Sequence, residues 1–306
     1  MKYYKPTEGF RIPAIAMGCM RIVTLEDREL DEWIDAALEC GINFFDHADI
    51  YEDENVYAEE RFGKALARRP GLRENMTLQS KCGICDEFYD SSYEHIIRSV
   101  EGSMKRLHTD YLDVLEIHRP DVLADVNEIA RAFSLLEESG KVRYFGVSNH
   151  NVAQMELLQN ACRQKLIFSQ MQLGLMHSSM IDQGINANTC SDSAVDRDGG
   201  MLTYCNQTGR ILQAWSPFQY GDFEGVFIDN PKFPALNEKL RVLAEKYDVS
   251  KMAVAVAWLL RIPTKVQTIL GTTSVQRMKQ SALGAELWLE RQDWYALYLA
   301  AGNRLP

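Results

Sequence analysis

Residues 112–147, LDVLEIHRPDVLADVNEIARAFSLLEESGKVRYFGV, decide the fold. Leu112 to Ile117 is a short apolar run that predicts a strand, Val126 to Glu138 a helix, and Val142 to Val147 a second strand. Strand, crossover helix and strand make a βαβ unit, whose two strands run parallel. The same order extends both ways along the chain. Upstream, Ile12 to Met17 predicts a strand ending at Gly18. Residues 26–40 place Leu30, Ile34, Ala37 and Leu38 on one face of a helix that Gly41 stops. Ile42 to Phe45 and Met76 to Gln79 are expected as strands, with helices over Glu54 to Arg68 and Ser91 to Leu107. Downstream the pattern predicts helix Val152 to Ala161, strand Leu166 to Ser169, helix Met201 to Gln207 and strand Ile211 to Trp215. Helices over 235–247 and 251–260, strand Val266 to Leu270, and helices over 275–282 and 290–301 close the series.

Eight strands, each followed by a helix, in 306 residues predict an α/β fold of the closed (β/α)8 TIM-barrel type. A doubly wound open sheet is the alternative. No boundary rich in Pro, Ser or Gly divides the chain, so residues 1–306 are expected to form a single domain. Two long connections, 178–200 and 216–234, follow the sixth and seventh strands. They are expected as irregular loops at the C-terminal mouth of the barrel, where ligands bind. The first, with Asp192, Asp196, Arg197 and Asp198, is expected on the rim.

The composition is that of a globular protein with a sizeable core, 46% hydrophobic and 25% charged. With 33 Lys and Arg against 43 Asp and Glu, the net charge of −10 argues against nucleic acid and a polybasic membrane surface as partners. The longest apolar run, Met252 to Leu260, is far short of the about 20 residues that span a bilayer. MKYYKPTEGF at the N-terminus has no apolar signal region. Seven cysteines, scattered and odd in number, fit a reducing compartment, so the expected setting is the cytoplasm.

No G-x-G-x-x-G follows the first strand, and no Walker A loop, H-E-x-x-H or G-x-S-x-G is present. Cys82-Gly-Ile-Cys85 is a C-x-x-C without the second ligand pair of a zinc site, and it follows a strand rather than opening a helix. It is taken as incidental, and no metal site is expected. More informative are the polar residues just past the strands: Asp46-His-Ala-Asp-Ile-Tyr51, Ser80-Lys81 and Ile117-His118. Each has an ordinary explanation alone: Asp46 as a turn cap, Lys81 as a surface cation, Tyr51 as a core aromatic, His118 as a buried imidazole. An acid, a phenol, an ammonium and an imidazole at the ends of three consecutive strands form a set suited to proton transfer.

Asp46, Tyr51 and His118 lie within longer stretches that resemble the aldo-keto reductases, residues 41–51 (GINFFDHADIY) and residues 103–118 (SMKRLHTDYLDVLEIH), to which residues 140–149 (GKVRYFGVSN) and residues 214–217 (AWSP) add. Together with DGGMLTYC at 198–205, they are most similar to the YdhF-like branch of bacterial oxidoreductases. The resemblance implies a (β/α)8 barrel that transfers a hydride between NADP(H) and an aldehyde or ketone, with Asp46, Tyr51, Lys81 and His118 as catalytic residues. In that scheme Tyr51 gives the proton, Lys81 lowers its pKa, Asp46 holds Lys81, and His118 orients the carbonyl oxygen. For the nicotinamide end it implies Ser148, Asn149, Gln170 and Trp215, and Met20 and Ser216 are further cofactor-binding positions. For the adenosine end it implies Gly271, Thr272, Thr273, Ser274, Arg277, Gln280 and Ser281. Arg277 is retained there, but Gln280 and Ser281 stand where the family commonly has Glu and Asn, and no Lys holds the usual phosphate position. NADP(H) is therefore the expected cofactor and NAD(H) the alternative.

Met20, Tyr51, His118, Trp215 and Phe218 are expected as pocket walls for a small, largely apolar or aromatic carbonyl substrate, with Arg21 either facing an anionic substrate or held in an ion pair. A monomer is expected. The alternative function is a nicotinamide-binding regulatory subunit resembling the β-subunits of potassium channels. The start of the chain directly at the barrel weighs against it.

Overall fold

The computed structural model describes residues 1–306. Short, apolar strands buried on both faces are what a parallel sheet wrapped by helices requires. Eight of them pair side by side and close: β1 (Ile15–Gly18), β2 (Phe44–Asp46), β3 (Thr77–Cys82), β4 (Leu112–Ile117), β5 (Val142–Ser148), β6 (Leu166–Gln172), β7 (Ile211–Trp215) and β8 (Val266–Leu270). The ring closes where Thr268 of β8 lies beside Ile15 of β1. The predicted (β/α)8 barrel is therefore the observed fold, and the open sheet is excluded.

Eleven α-helices run in chain order: α1 (Asp27–Glu39), α2 (Ala58–Arg68), α3 (Tyr93–Arg106), α4 (Val126–Glu138), α5 (Val152–Ala161), α6 (Ser179–Ile185), α7 (Met201–Thr208), α8 (Pro234–Tyr247), α9 (Lys251–Leu260), α10 (Val275–Ala282) and α11 (Arg291–Ala300). The packing logic is clear in α4. Asp125 caps it by accepting from the Asn127 amide. Ile129, Ala132, Phe133 and Leu136 then share one face. Phe133 stacks on Phe145 of β5 with ring centroids 4.3 Å apart.

Helix α2 meets the end of α3 through a bare backbone contact at Gly63. A Cβ there would lie 2.0 Å from the Arg106 carbonyl oxygen. Gly63→Ala is accordingly expected to destabilise the fold by about 1–3 kcal/mol or more through overpacking, read as a lowered midpoint in thermal melting.

Two expectations are corrected. Ile12 to Met17 is not one strand. Phe10–Pro13 pairs antiparallel with Tyr3–Thr7 in a hairpin, and β1 begins only at Ile15. Pro13 has no amide to donate, and the chain changes partners there. The hairpin caps the N-terminal end of the barrel: Tyr4 Oη donates to the Val266 carbonyl at 2.9 Å, and Phe10 stacks on Tyr144 at 4.1 Å. The stretch 178–200 is not irregular throughout, because it contains α6. Distant residues pin that helix: Tyr298 Oη donates to Asp182 at 2.8 Å, and Asn303 Nδ2 donates to Ser178 at 3.2 Å. The 216–234 connection carries a two-stranded hairpin, Gln219–Tyr220 with Gly225–Val226.

Candidate active site

In a parallel barrel every strand ends at the same mouth, which brings the polar strand-end residues together. Asp46 is the last residue of β2 and lies in register beside Gln79 of β3. Two residues on, Lys81 points to the same face and is fully buried. Its ammonium donates to Asp46 Oδ1 at 2.7 Å, to the His47 carbonyl at 2.6 Å and to Tyr51 Oη at 3.3 Å. Tyr51 lies in the loop after β2, its ring edge-on to His118 with centroids 5.9 Å apart. His118 immediately follows β4, and its Nδ1 is buried without a partner. The four expected catalytic residues thus form one constellation.

Charges are balanced tightly here. Burial alone disfavours the Lys81 ammonium, but Asp46, Tyr51 and Glu116 outweigh it and raise its pKa, so Lys81 stays charged. The Tyr51 phenol is raised by burial first, opposed by Lys81 and reinforced by Asp46 and Glu116. The expected lowering by Lys81 is therefore present but outweighed by desolvation. Burial, with Lys81 and Arg119 beside it, holds His118 well below its ordinary pKa and hence neutral. His47 is pushed down to about 3 by its burial and then by Lys81.

A cavity of about 590 Å³ opens over this constellation, within the range typical of small-molecule sites. Asp46, Tyr51 and His118 line it, while Lys81 lies behind them. Met20, Ser148, Asn149, Gln170, Trp215, Ser216, Gly271, Thr272, Thr273, Arg277 and Ser281 also line it. Asn149 sits at φ +58° and donates to the His118 carbonyl at 3.3 Å, while Trp215 Nε1 donates to Asn149 Oδ1 at 3.2 Å. Two expected contacts fall outside. Ser274 is turned into its own helix as the cap of α10, accepting from the Arg277 amide at 3.3 Å, and Gln280 does not line the cavity. Ser281 does line it, but its hydroxyl donates to the Arg277 carbonyl at 2.7 Å. Arg21 makes no ion pair; it donates to the Gly271 carbonyl at 3.3 Å and lines the mouth.

The Aldo/keto reductase family profile matches residues 14–297. The chain belongs to the aldo-keto reductase family. The oxidoreductase YdhF of Escherichia coli K12 is 33% identical over 96% of this chain and 95% of its own length. A 6-dehydroglucose reductase of Novosphingobium aromaticivorans is 32% identical over 97% of this chain and 95% of its own. Among solved structures, an aldo-keto reductase of Bombyx mori in complex with NADP superposes with a TM-score of 0.75 at 21% identity, covering 98% of this chain and 92% of that one. The chain is an oxidoreductase of this family, and the regulatory-subunit alternative is not favoured.

Several features of the reductase escaped sequence reasoning. No residue of 178–200 reaches the cavity, while the 216–234 connection, expected at the mouth, does line it; the stacking of its Phe223 on Trp215 at 5.7 Å and the wall residues Ile50, Ile84, Arg119 and Met252 were not foreseen. A ladder of buried glutamines also supports Asp46. Gln79 and Gln170 both donate to Asp46 Oδ1, at 2.6 and 3.2 Å, and Gln213 joins Gln79 to Gln267. Gln267 in turn donates to the Pro13 carbonyl at 2.7 Å. Each of these glutamines stands on a different strand, Gln79 on β3, Gln170 on β6, Gln213 on β7 and Gln267 on β8, so no local pattern signalled the ladder. As for Cys82 and Cys85, burial pushes both thiols up, Cys82 well above its ordinary value, so neither is an activated thiolate. No group of three or more His, Cys, Asp or Glu side chains is placed to hold a metal ion, and no helix is long and apolar enough to cross a membrane.

Proposed function

We propose that this reductase transfers a hydride between NADP(H) and an aldehyde or ketone, with Tyr51 as general acid, Lys81 and Asp46 behind it, and His118 beside the carbonyl oxygen. The observation that carries the reading is the Asp46–Lys81–Tyr51 chain of contacts, at 2.7 and 3.3 Å, ending at a cavity that His118 also lines. The cavity wall fits an extended dinucleotide. Ser148, Asn149 and Gln170 offer hydroxyl and amide groups beside Trp215, and Thr272 and Thr273 precede the N-terminus of α10, which suits a phosphate. NADP(H), when bound, supplies or takes up the hydride.

The chain's own residues then handle the proton and the charge. Tyr51 holds its proton at neutral pH and gives it to the oxygen that gains negative charge. Lys81, kept cationic, stabilises the phenolate left behind. Asp46, held by three donors at one oxygen, fixes the ammonium. Neutral His118 offers an N–H to the carbonyl oxygen without adding charge.

The substrate is read as a small carbonyl compound that meets aromatic walls. Relatives named as 6-dehydroglucose reductases make a sugar carbonyl a specific candidate, and Arg119, Gln219 and Asp229 supply polar groups for one. We read the setting of this chain as the cytoplasm, on the support of seven free cysteines, and take it as a monomer by default. The test is NADPH consumption with an aromatic aldehyde and with a 6-oxo sugar. Turnover with either is expected, and faster with NADPH than with NADH. Tight NADPH binding without turnover on any carbonyl tried would move the reading to a regulatory role.

A further inference from the structure

β4 carries a residue that the reaction above does not use. Its inward face alternates Val114, Glu116 and His118, while Asp113 turns outward to pair with Arg73 and Arg143. Barrel interiors are filled mainly by branched apolar side chains. Glu116 departs from that rule: it is fully buried, and neither carboxyl oxygen has a hydrogen-bond partner. In the register it lies between Lys81 of β3 and Gly146 of β5. A Cβ at Gly146 would stand 2.8 Å from Phe168 Cβ and 3.2 Å from Glu116 Oε1, so the bare glycine leaves the room that the carboxyl fills.

The titratable groups facing this carboxyl are Lys81 from β3, Asp46 from β2, Tyr51 from the loop after β2 and His118 on its own strand; β5 offers only Gly146 at that level. A second unpaired carboxylate here would be costly, and such groups take up a proton instead. Burial first, with Asp46 adding and Lys81 opposing, raises the Glu116 pKa well above the carboxylate range.

Resting on the assignment of Tyr51 and Lys81 given above, we propose that Glu116 is a positioning residue for Tyr51. With its carboxyl neutral, the positive charge of Lys81 faces only Asp46 and Tyr51. With its carboxyl ionised, its proton lost to bulk water, a second counter-charge competes for Lys81 and the phenol holds its proton more tightly. Reduction needs Tyr51 to release that proton, and alcohol oxidation needs the phenolate. Glu116 thus couples both directions to a second buried ionisation on the alkaline side.

The experiment is an absorbance pH titration of the Tyr51 phenolate, taken as the difference between each protein and its own Tyr51→Phe partner, in wild type and in Glu116→Gln. The pH profile of alcohol oxidation is measured alongside. In Glu116→Gln, Tyr51 is expected to ionise at lower pH. Oxidation on the rising limb then increases, roughly tenfold for each pH unit by which the limb moves. Glu116→Leu keeps the test open should the Gln variant fold poorly. Replacing an unpartnered buried acid by an apolar side chain is neutral or stabilising. Because the native carboxyl binds its proton more tightly than the unfolded one, wild-type stability falls as pH rises through the raised native pKa, and Glu116→Leu flattens that fall. Coincident Tyr51 titrations in wild type and both variants would overturn the proposal. So would a lowered melting temperature in Glu116→Leu with no change in Tyr51, which would assign Glu116 to packing. The titration needs no turnover, so an inactive wild type would count against the reductase reading while leaving the test of Glu116 intact.

Discussion

Tyr51→Phe is expected to lower kcat/KM for carbonyl reduction by roughly 10²–10⁴, the usual weight of a positioned general acid. At about 1.36 kcal/mol per factor of ten, that is about 2.7–5.5 kcal/mol of lost transition-state stabilisation. Only one oxygen is removed. The ring remains beside His118, and the bond given up, from Lys81 Nζ at 3.3 Å, is the longest of the three that the ammonium makes. NADPH affinity, read from fluorescence titration, is therefore expected to change little. The pH profile adds a second readout. The Tyr51 phenol is raised by burial, so the wild-type acid keeps its proton through neutral pH and reduction declines only on the alkaline side. That decline is expected to disappear in the Phe variant. Equal turnover in the two proteins would remove Tyr51 from the chemistry.

Lys81→Met is expected to damage both stability and activity. Lys81 is fully buried, and Asp46 is 3% exposed. Removing the ammonium leaves a buried carboxylate with only the amides of Gln79 and Gln170, a loss that typically costs about 3–5 kcal/mol. Chemical denaturation should show this as a lower midpoint. Adding Asp46→Asn removes the orphaned charge, so the double variant is expected to recover much of the stability. Activity is not expected to return, because the phenolate left after proton transfer still lacks its cation. A double variant no more stable than Lys81→Met would show that the pair is not what the barrel interior depends on.

The legible parts of the sequence were those decided locally. Leu112–Ile117, Val126–Glu138, Ile211–Trp215 and Val266–Leu270 fall where periodicity and flanking residues placed them, because caps and apolar spacing act within a few residues. The hairpin Tyr3–Thr7 with Phe10–Pro13 was hidden because Ile12 to Met17 is one unbroken apolar run, although the chain changes partners inside it. Helix α6 was hidden because its anchors, Tyr298 and Asn303, lie more than a hundred residues away. At the site, Asp46, Tyr51, Lys81 and His118 were readable because strand ends in a barrel converge whatever the details of packing. Gln79, Gln213 and Gln267 were not. A single Gln in a strand does not reveal that three others meet it inside the barrel.

The sequence alone determined the alternation of strands and helices, hence the barrel, and the inventory of groups delivered to its mouth. Both follow from side-chain pattern and chain order. The tertiary structure decided which of those groups touch and what charge each one carries. Three donors converge on one oxygen of Asp46, the Tyr51 phenol is raised although Lys81 lies beside it, and Glu116 has no partner. The physical reason is that pKa and hydrogen bonding depend on desolvation and on neighbours from other strands. Those exist only once the barrel has closed.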